Sequence, residues 1–195
     1  MATAFRRKRG RIVGTLDQDE LGIVVHLLKL TRDFVAPERA ETGDPFLDLV
    51  AGMGETDPDP SEPSDPALLR LLPPAHRTDS EQAGEFRRLT EHSLRTRKAA
   101  NAKRAIEVLE GAPSSKLELD DGQAQAIMVA LTDIRLILGE RLDLRTDEDS
   151  ERLRAQLEAS LSGEAEMDPA KAQQMAYYDF LSWLQESLTM ALMQR

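Results

Sequence analysis

Three histidines, 35 carboxylates and 25 Lys or Arg side chains are the groups through which this 195-residue chain could do chemistry. Their spacing decides which chemistry. His26, His76 and His92 each lack an acid three residues before them, so the Glu-x-x-His pairs of carboxylate-bridged di-iron bundles are missing. No His-Glu-x-x-His, Gly-x-Ser-x-Gly, phosphate-cradling glycine loop or dinucleotide fingerprint occurs. There is no cysteine, which removes thiol nucleophiles, disulfides, iron–sulfur clusters and Cys-ligated zinc. No catalytic, metal-ligating or cofactor-binding residue is assigned, and the chain reads as a non-enzyme without a cofactor. His26, in VVHLLKL, reads as a partly buried helix histidine, His76 as a loop residue after Pro-Pro, and His92 as solvated.

The charged groups offer binding instead of catalysis. Asp133 and Arg135 lie in LTDIRLILGER, an apolar stretch where an unpaired charge would be costly. Gln185 and Glu186 of WLQES are their candidate partners in a buried polar network, structural in the first reading and a ligand site in the second. A basic set, Arg87, Arg88, Arg95, Arg97, Lys98, Lys103 and Arg104, faces only Glu81, Glu85 and Glu91 in the same stretch. Such a run is most often a solvated face. Its functional reading is an ionic contact with an acidic partner, or with this chain's own acidic segment 143–166, and Arg87, Arg88, Arg95, Lys98, Arg70 and Trp183 are the partner-binding candidates. The basic tip Arg6, Arg7, Lys8, Arg9 and Arg11 could serve as an arm for nucleic acid. The net charge of −10 opposes that partner, and no aromatics interleave with the basic groups for base stacking.

Helices must position these groups. Aromatics make up 4% of the chain, so the core rests on Leu, Ala, Ile, Val and Met, which mostly favour helix. Ala4–Lys8 and Arg11–Leu16 flank a turn at Arg9-Gly10 and could pair as a small hairpin, marginal by itself. Asp17 with Glu20 caps a helix over 18–36, whose stripe is Leu21, Val24, Val25, Leu28 and Val35. Asp44-Pro45 opens a short helix at 45–52, and Pro66 opens another, ALLRLL. Between them, residues 54–66 hold four prolines and five acids and read as a solvated loop.

The longest helix is expected over 80–110, with an apolar line of Phe86, Leu89, Leu94, Ala102, Ile106 and Leu109. Its middle, Ser93–Ala102, is poor in large apolar groups and could bend or project. A broad-faced helix, with Asp120 and Gln123 as its cap pair, runs to about Leu142 through Ile127, Leu131, Ile134 and Leu138, as a central helix should. Leu153, Leu157 and Leu161 suggest a weak helix over 148–161. Asp168-Pro169 opens the last, to Met193, with Tyr178, Leu181, Leu184, Leu188 and Leu192 inside. The expected fold is all-α: one domain over 1–195, a bundle of four main helices plus short ones. The charged start resembles a signal peptide, but no unbroken apolar stretch follows it, and no run approaches the roughly 20 residues of a membrane span.

In their order, FRRKRGRIVGTLD, PALLRLLPPAH, FRRLTEHSLRTRK, LELDDGQAQAIMVALTDIRLILGERL and YYDFLSWLQESLTMALM resemble an uncharacterised bacterial domain-of-unknown-function family of about this length. Its members are typically encoded beside the Clp protease adaptor ClpS. The resemblance implies a link to regulated proteolysis, with a Clp adaptor or chaperone as partner, and draws attention to Arg70, Arg87, Lys98, Asp133, Arg135, Trp183 and Glu186. Some members carry a transcriptional-regulator label, which these residues support little. The expected function is therefore a cytoplasmic, non-catalytic interaction or regulatory protein, with an apolar last helix that could seed a homodimer. A nucleic-acid-binding regulator and a ligand-binding bundle are the alternatives.

Overall fold

The computed structural model describes residues 2–37, 63–75 and 79–194. β1 (Thr3–Lys8) and β2 (Arg11–Thr15) form an antiparallel hairpin. Its turn residues Arg9 and Gly10 both have positive φ, 51° and 78°, the left-handed pair that a two-residue hairpin turn requires. Gly10 adopts it freely, having no Cβ to clash. At Gly14 a Cβ would come within 2.7 Å of the Phe5 ring, so glycine there lets the buried Phe5 lie flat against β2.

The hairpin does not stand alone. β3 (Lys116–Leu119), between the two helices expected at 80–110 and from Asp120, pairs antiparallel with β2 to give the order β1-β2-β3. Its four residues alternate, Leu117 and Leu119 buried and Lys116 and Glu118 exposed, as a half-buried strand must. A run so short carries almost no period-2 signal.

Among the described residues there are six helices. α1 (Gln18–Val35) starts in the capping box of Asp17 and Glu20 and buries Val24, Val25, Leu28 and Val35. α2 (Pro66–Leu71) is capped by Asp65, α3 spans Ser80–Glu110, and α4 (Asp121–Arg141) starts in a second capping box, Asp120 with Gln123. α5 (Asp147–Leu161) has a third box, Thr146 with Asp149, and α6 (Pro169–Met193) opens on the Asp168 cap. Each box satisfies main-chain donors that the first helical turn leaves open. The expected helix at 45–52, most of the acidic loop at 54–66 and His76 lie outside the described residues.

The fold is mostly helical, as the sequence predicted. α1, α3, α4 and α6 pack on one another, and the inner face of the small sheet, Phe5, Ile12, Leu117 and Leu119, joins the same cluster. Ile127, Leu131, Ile134, Leu181, Leu184 and Leu188 are its fully buried centre. α5 is peripheral and joins a small separate cluster through Leu153 and Leu157.

Two expectations about α3 are corrected. Its middle does not project: Leu94 and Ala99 pack on Val35, Leu71 and Leu72. Phe86 and Leu89, expected in the core, are 51% and 59% exposed, while Arg87 and Glu91 are buried. The reason is helical phase. Ala102, Ala105, Ile106 and Leu109 set the side of α3 that faces the core. Carried back at 3.6 residues per turn, that side passes through Glu91 and Arg87 and leaves Phe86 and Leu89 opposite.

Candidate partner-binding site

The polar groups expected inside α4 separate into two sets. Asp133, 5% exposed, accepts a 2.6 Å ion-paired hydrogen bond from the Lys98 ammonium of α3. On the opposite side of the helix, Arg135 reaches α6: its guanidinium donates to Gln185 Oε1 at 2.7 Å and lies 5.1 Å from the centre of the Tyr178 ring. Gln185 in turn donates to Thr132 Oγ1 at 2.7 Å, which closes the link back to α4. Asp133 and Arg135 do not pair with each other, because two residues apart on a helix they point to opposite neighbours. Glu186 is exposed and outside this network, a correction to its expected place there. Arg135 Nε is buried and has no hydrogen-bond partner among the described residues.

The basic set on α3 is largely neutralised from within. Arg87 and Arg95 both close on Glu91, at 2.9 and 2.7 Å, in a partly buried triad at i, i+4 spacing. With Lys98 held by Asp133, three of the expected partner-binding cations serve the fold instead, and a charge reversal at Arg95 would set an acid against Glu91. Arg88 remains exposed. Its side of the helix also carries the exposed Leu89. α3 makes no extensive packing on the acidic α5 among the described residues. His26 is exposed, not partly buried, because it falls on the outer side of α1.

Arg70, on α2, donates to Glu140 at 2.7 Å, and Arg145 reaches the other oxygen of the same carboxylate at 2.7 Å. The Arg70 hydrogen bond, helped by the fields of Arg145 and Arg141, holds the Glu140 carboxyl below its usual range. Arg141 binds Asp65, the cap of α2, at 2.5 Å and lowers that carboxyl in the same way. These bridges fasten α2 to the end of α4.

Four of the remaining candidates, Arg6, Arg7, Trp183 and Glu186, line one surface groove between β1 and α6, together with Phe5 and Met190. Trp183 and Met190 are 38% and 57% exposed, and Met193 beyond them is still more open. The Phe180 ring stacks on Trp183 at 6.2 Å between centroids, which holds the indole as a fixed wall. Arg7 is tied into the fold: its Nε donates to the Ala191 carbonyl at 3.2 Å and its guanidinium meets Asp121 at 2.9 Å. Arg6, Lys8, Arg9 and Arg11 stay exposed. The basic tip is thus a paired hairpin, not a free arm. Sequence reasoning named Trp183, Glu186 and the basic tip separately but missed Met190 and the meeting of Arg6 and Arg7 with the α6 side chains. The available signal was the outward position of Trp183 and Met190, seven residues apart and so on one side of α6.

Among the described residues no group of three or more His, Asp or Glu side chains is placed to hold a metal ion, and no helix is long and apolar enough to cross a membrane. Compared with known proteins, residues 2–192 match the model of one family, described as a domain of unknown function (DUF2017). No curated protein and no solved structure matches the chain.

Proposed function

We infer that this chain, which belongs to the DUF2017 family of unknown function, is a non-catalytic protein-interaction or regulatory protein that binds its partner at the β1–α6 groove. The observation that carries this reading is the groove itself. It sets a stacked tryptophan and an exposed methionine beside basic side chains, the mixture of apolar anchor and charged rim typical of protein contacts. The polar network of α4 favours it indirectly, since Asp133 is ion-paired with Lys98 and Arg135 is engaged by Gln185 and the Tyr178 ring.

The finer reading places the protein in the bacterial cytoplasm, with a Clp adaptor or chaperone as the partner to look for first. Its support is the ordered set of segments that resembles a family encoded beside ClpS. The nucleic-acid reading keeps the exposed Arg6, Lys8, Arg9 and Arg11, but a hairpin locked by Arg7 cannot act as a flexible arm. A small ligand would need the unpartnered Nε of Arg135, which is enclosed by α4 and α6.

A photo-crosslinking amino acid placed at Met190, and in parallel at the exposed control Arg152, tests the interaction reading in the cell of origin. One protein enriched at Met190 and absent from the control is expected. Equal, diffuse labelling at both positions would overturn the reading.

A further inference from the structure

We propose that the open side of β1 is a strand-addition site, which takes an extended partner segment of alternating acidic and apolar residues. This deepens the interaction reading and rests on it. β1 ends the sheet order, so one of its sides has no strand beside it among the described residues. In a two-residue hairpin the pair flanking the turn, here Lys8 and Arg11, is the hydrogen-bonded one. Alternation then makes Arg6–Val13 bonded and Arg7–Ile12 not, and the N–H and C=O of Arg7 project from the free side. Neither group takes a main-chain partner elsewhere among the described residues. A strand laid alongside would use both.

The side chains of β1 then specify what the added strand carries. Phe5 and Arg7 turn inward onto α6, whereas Arg6 and Lys8 turn outward into solvent. A residue opposite Arg7 would point inward, where the groove wall is Trp183 and Met190, and should be apolar. Its two neighbours would point outward beside Arg6 and Lys8, and should be Asp or Glu. The recognised unit is therefore acid, apolar, acid.

Three other occupants fit less well. A second copy pairing its β1 on this one about Arg7 would set Arg6, Arg7 and Lys8 against the same three cations. Nucleic acid has no main-chain amide and carbonyl to pair with the C=O and N–H of Arg7. The opposite sheet edge, β3, pairs its own Lys116 with Glu118 and so presents no net charge to select a partner.

Trp183 is the only tryptophan in the chain, so its emission reports on the groove directly. The full chain is titrated with a short capped peptide of alternating Glu and Val, with its Lys and Val counterpart, with the Glu–Val peptide N-methylated at each Val, and with oligothymidylate. The expected result is a saturable shift of Trp183 emission with the Glu–Val peptide alone. Arg6→Glu on the strand and Met190→Glu on the helix should each weaken it about tenfold, while circular dichroism confirms that both variants are folded. A shift with the Lys–Val peptide of equal strength, an undiminished response to the N-methylated peptide, or a response to oligothymidylate alone would overturn strand addition. Failure here with a specific crosslink at Met190 removes only the strand-addition proposal; absence of the crosslink as well removes the interaction reading with it.

Discussion

On α3 the guanidinium groups of Arg87 and Arg95 close on Glu91 and the Lys98 ammonium closes on Asp133, whereas on β1 Arg7 is engaged and Arg6 and Lys8 face outward. Both stretches read alike as basic runs. They differ in what lies beneath them. α3 crosses α1 and α4, so the cations on its inner side had to find carboxylates or remain as costly buried charges. A strand sends alternate side chains to opposite faces, so half of a basic run on β1 can stay in water whatever the other half does. A basic run is therefore informative about binding only once its inner members are accounted for.

That contrast can be broken most directly at its buried end. Lys98→Met should cost about 3 kcal/mol in urea unfolding, because it strands the Asp133 carboxylate in the interior. Adding Asp133→Asn should recover part of the loss, and additive costs instead would mean that the two groups do not act as a pair. On the sheet, Gly14→Ala should cost between about 1 and 3 kcal/mol, since the new methyl meets the Phe5 ring and neither backbone nor ring has room. A neutral result would show that β1 sits more loosely over the core than its contacts imply.

Acid sharpens the comparison through Glu140. Its folded carboxyl titrates below the usual range, so the native state binds fewer protons there than the unfolded chain. The stability this contributes is fully present above the unfolded value of about 4.3 and is lost as pH falls through the folded one. Glu140→Gln should therefore flatten the acid limb of the urea midpoint against pH; parallel limbs would remove Arg70 and Arg145 as its cause. The smallest effect is expected at Arg88, which is exposed. Arg88→Glu should shift stability by less than about 0.5 kcal/mol, and a larger loss would place it in the α3 charge network after all.

Much of the architecture was legible. Asp17 with Glu20 and Asp120 with Gln123 marked helix starts because a capping box is a local contact, complete within four residues. The faces of α1, α4 and α6 were legible because their stripes are long and unmixed. The line drawn through α3 failed since it joined two helical phases, and the phase set by Ala102, Ile106 and Leu109 would have excluded Phe86 and Leu89. The sequence points to Gln185 as a partner for the Asp133 and Arg135 pair but not to Lys98, because nothing local relates the registers of two different helices.

By itself, then, the order of residues determined the helices, their caps, the Arg9-Gly10 turn and the absence of thiol chemistry, all of which depend on neighbours a few positions apart. Tertiary structure alone decided the third strand, the cations that turn inward on α3, and the meeting of β1 with Trp183 and Met190. Those outcomes depend on distant segments being brought into one register, and register is set by how the whole core packs.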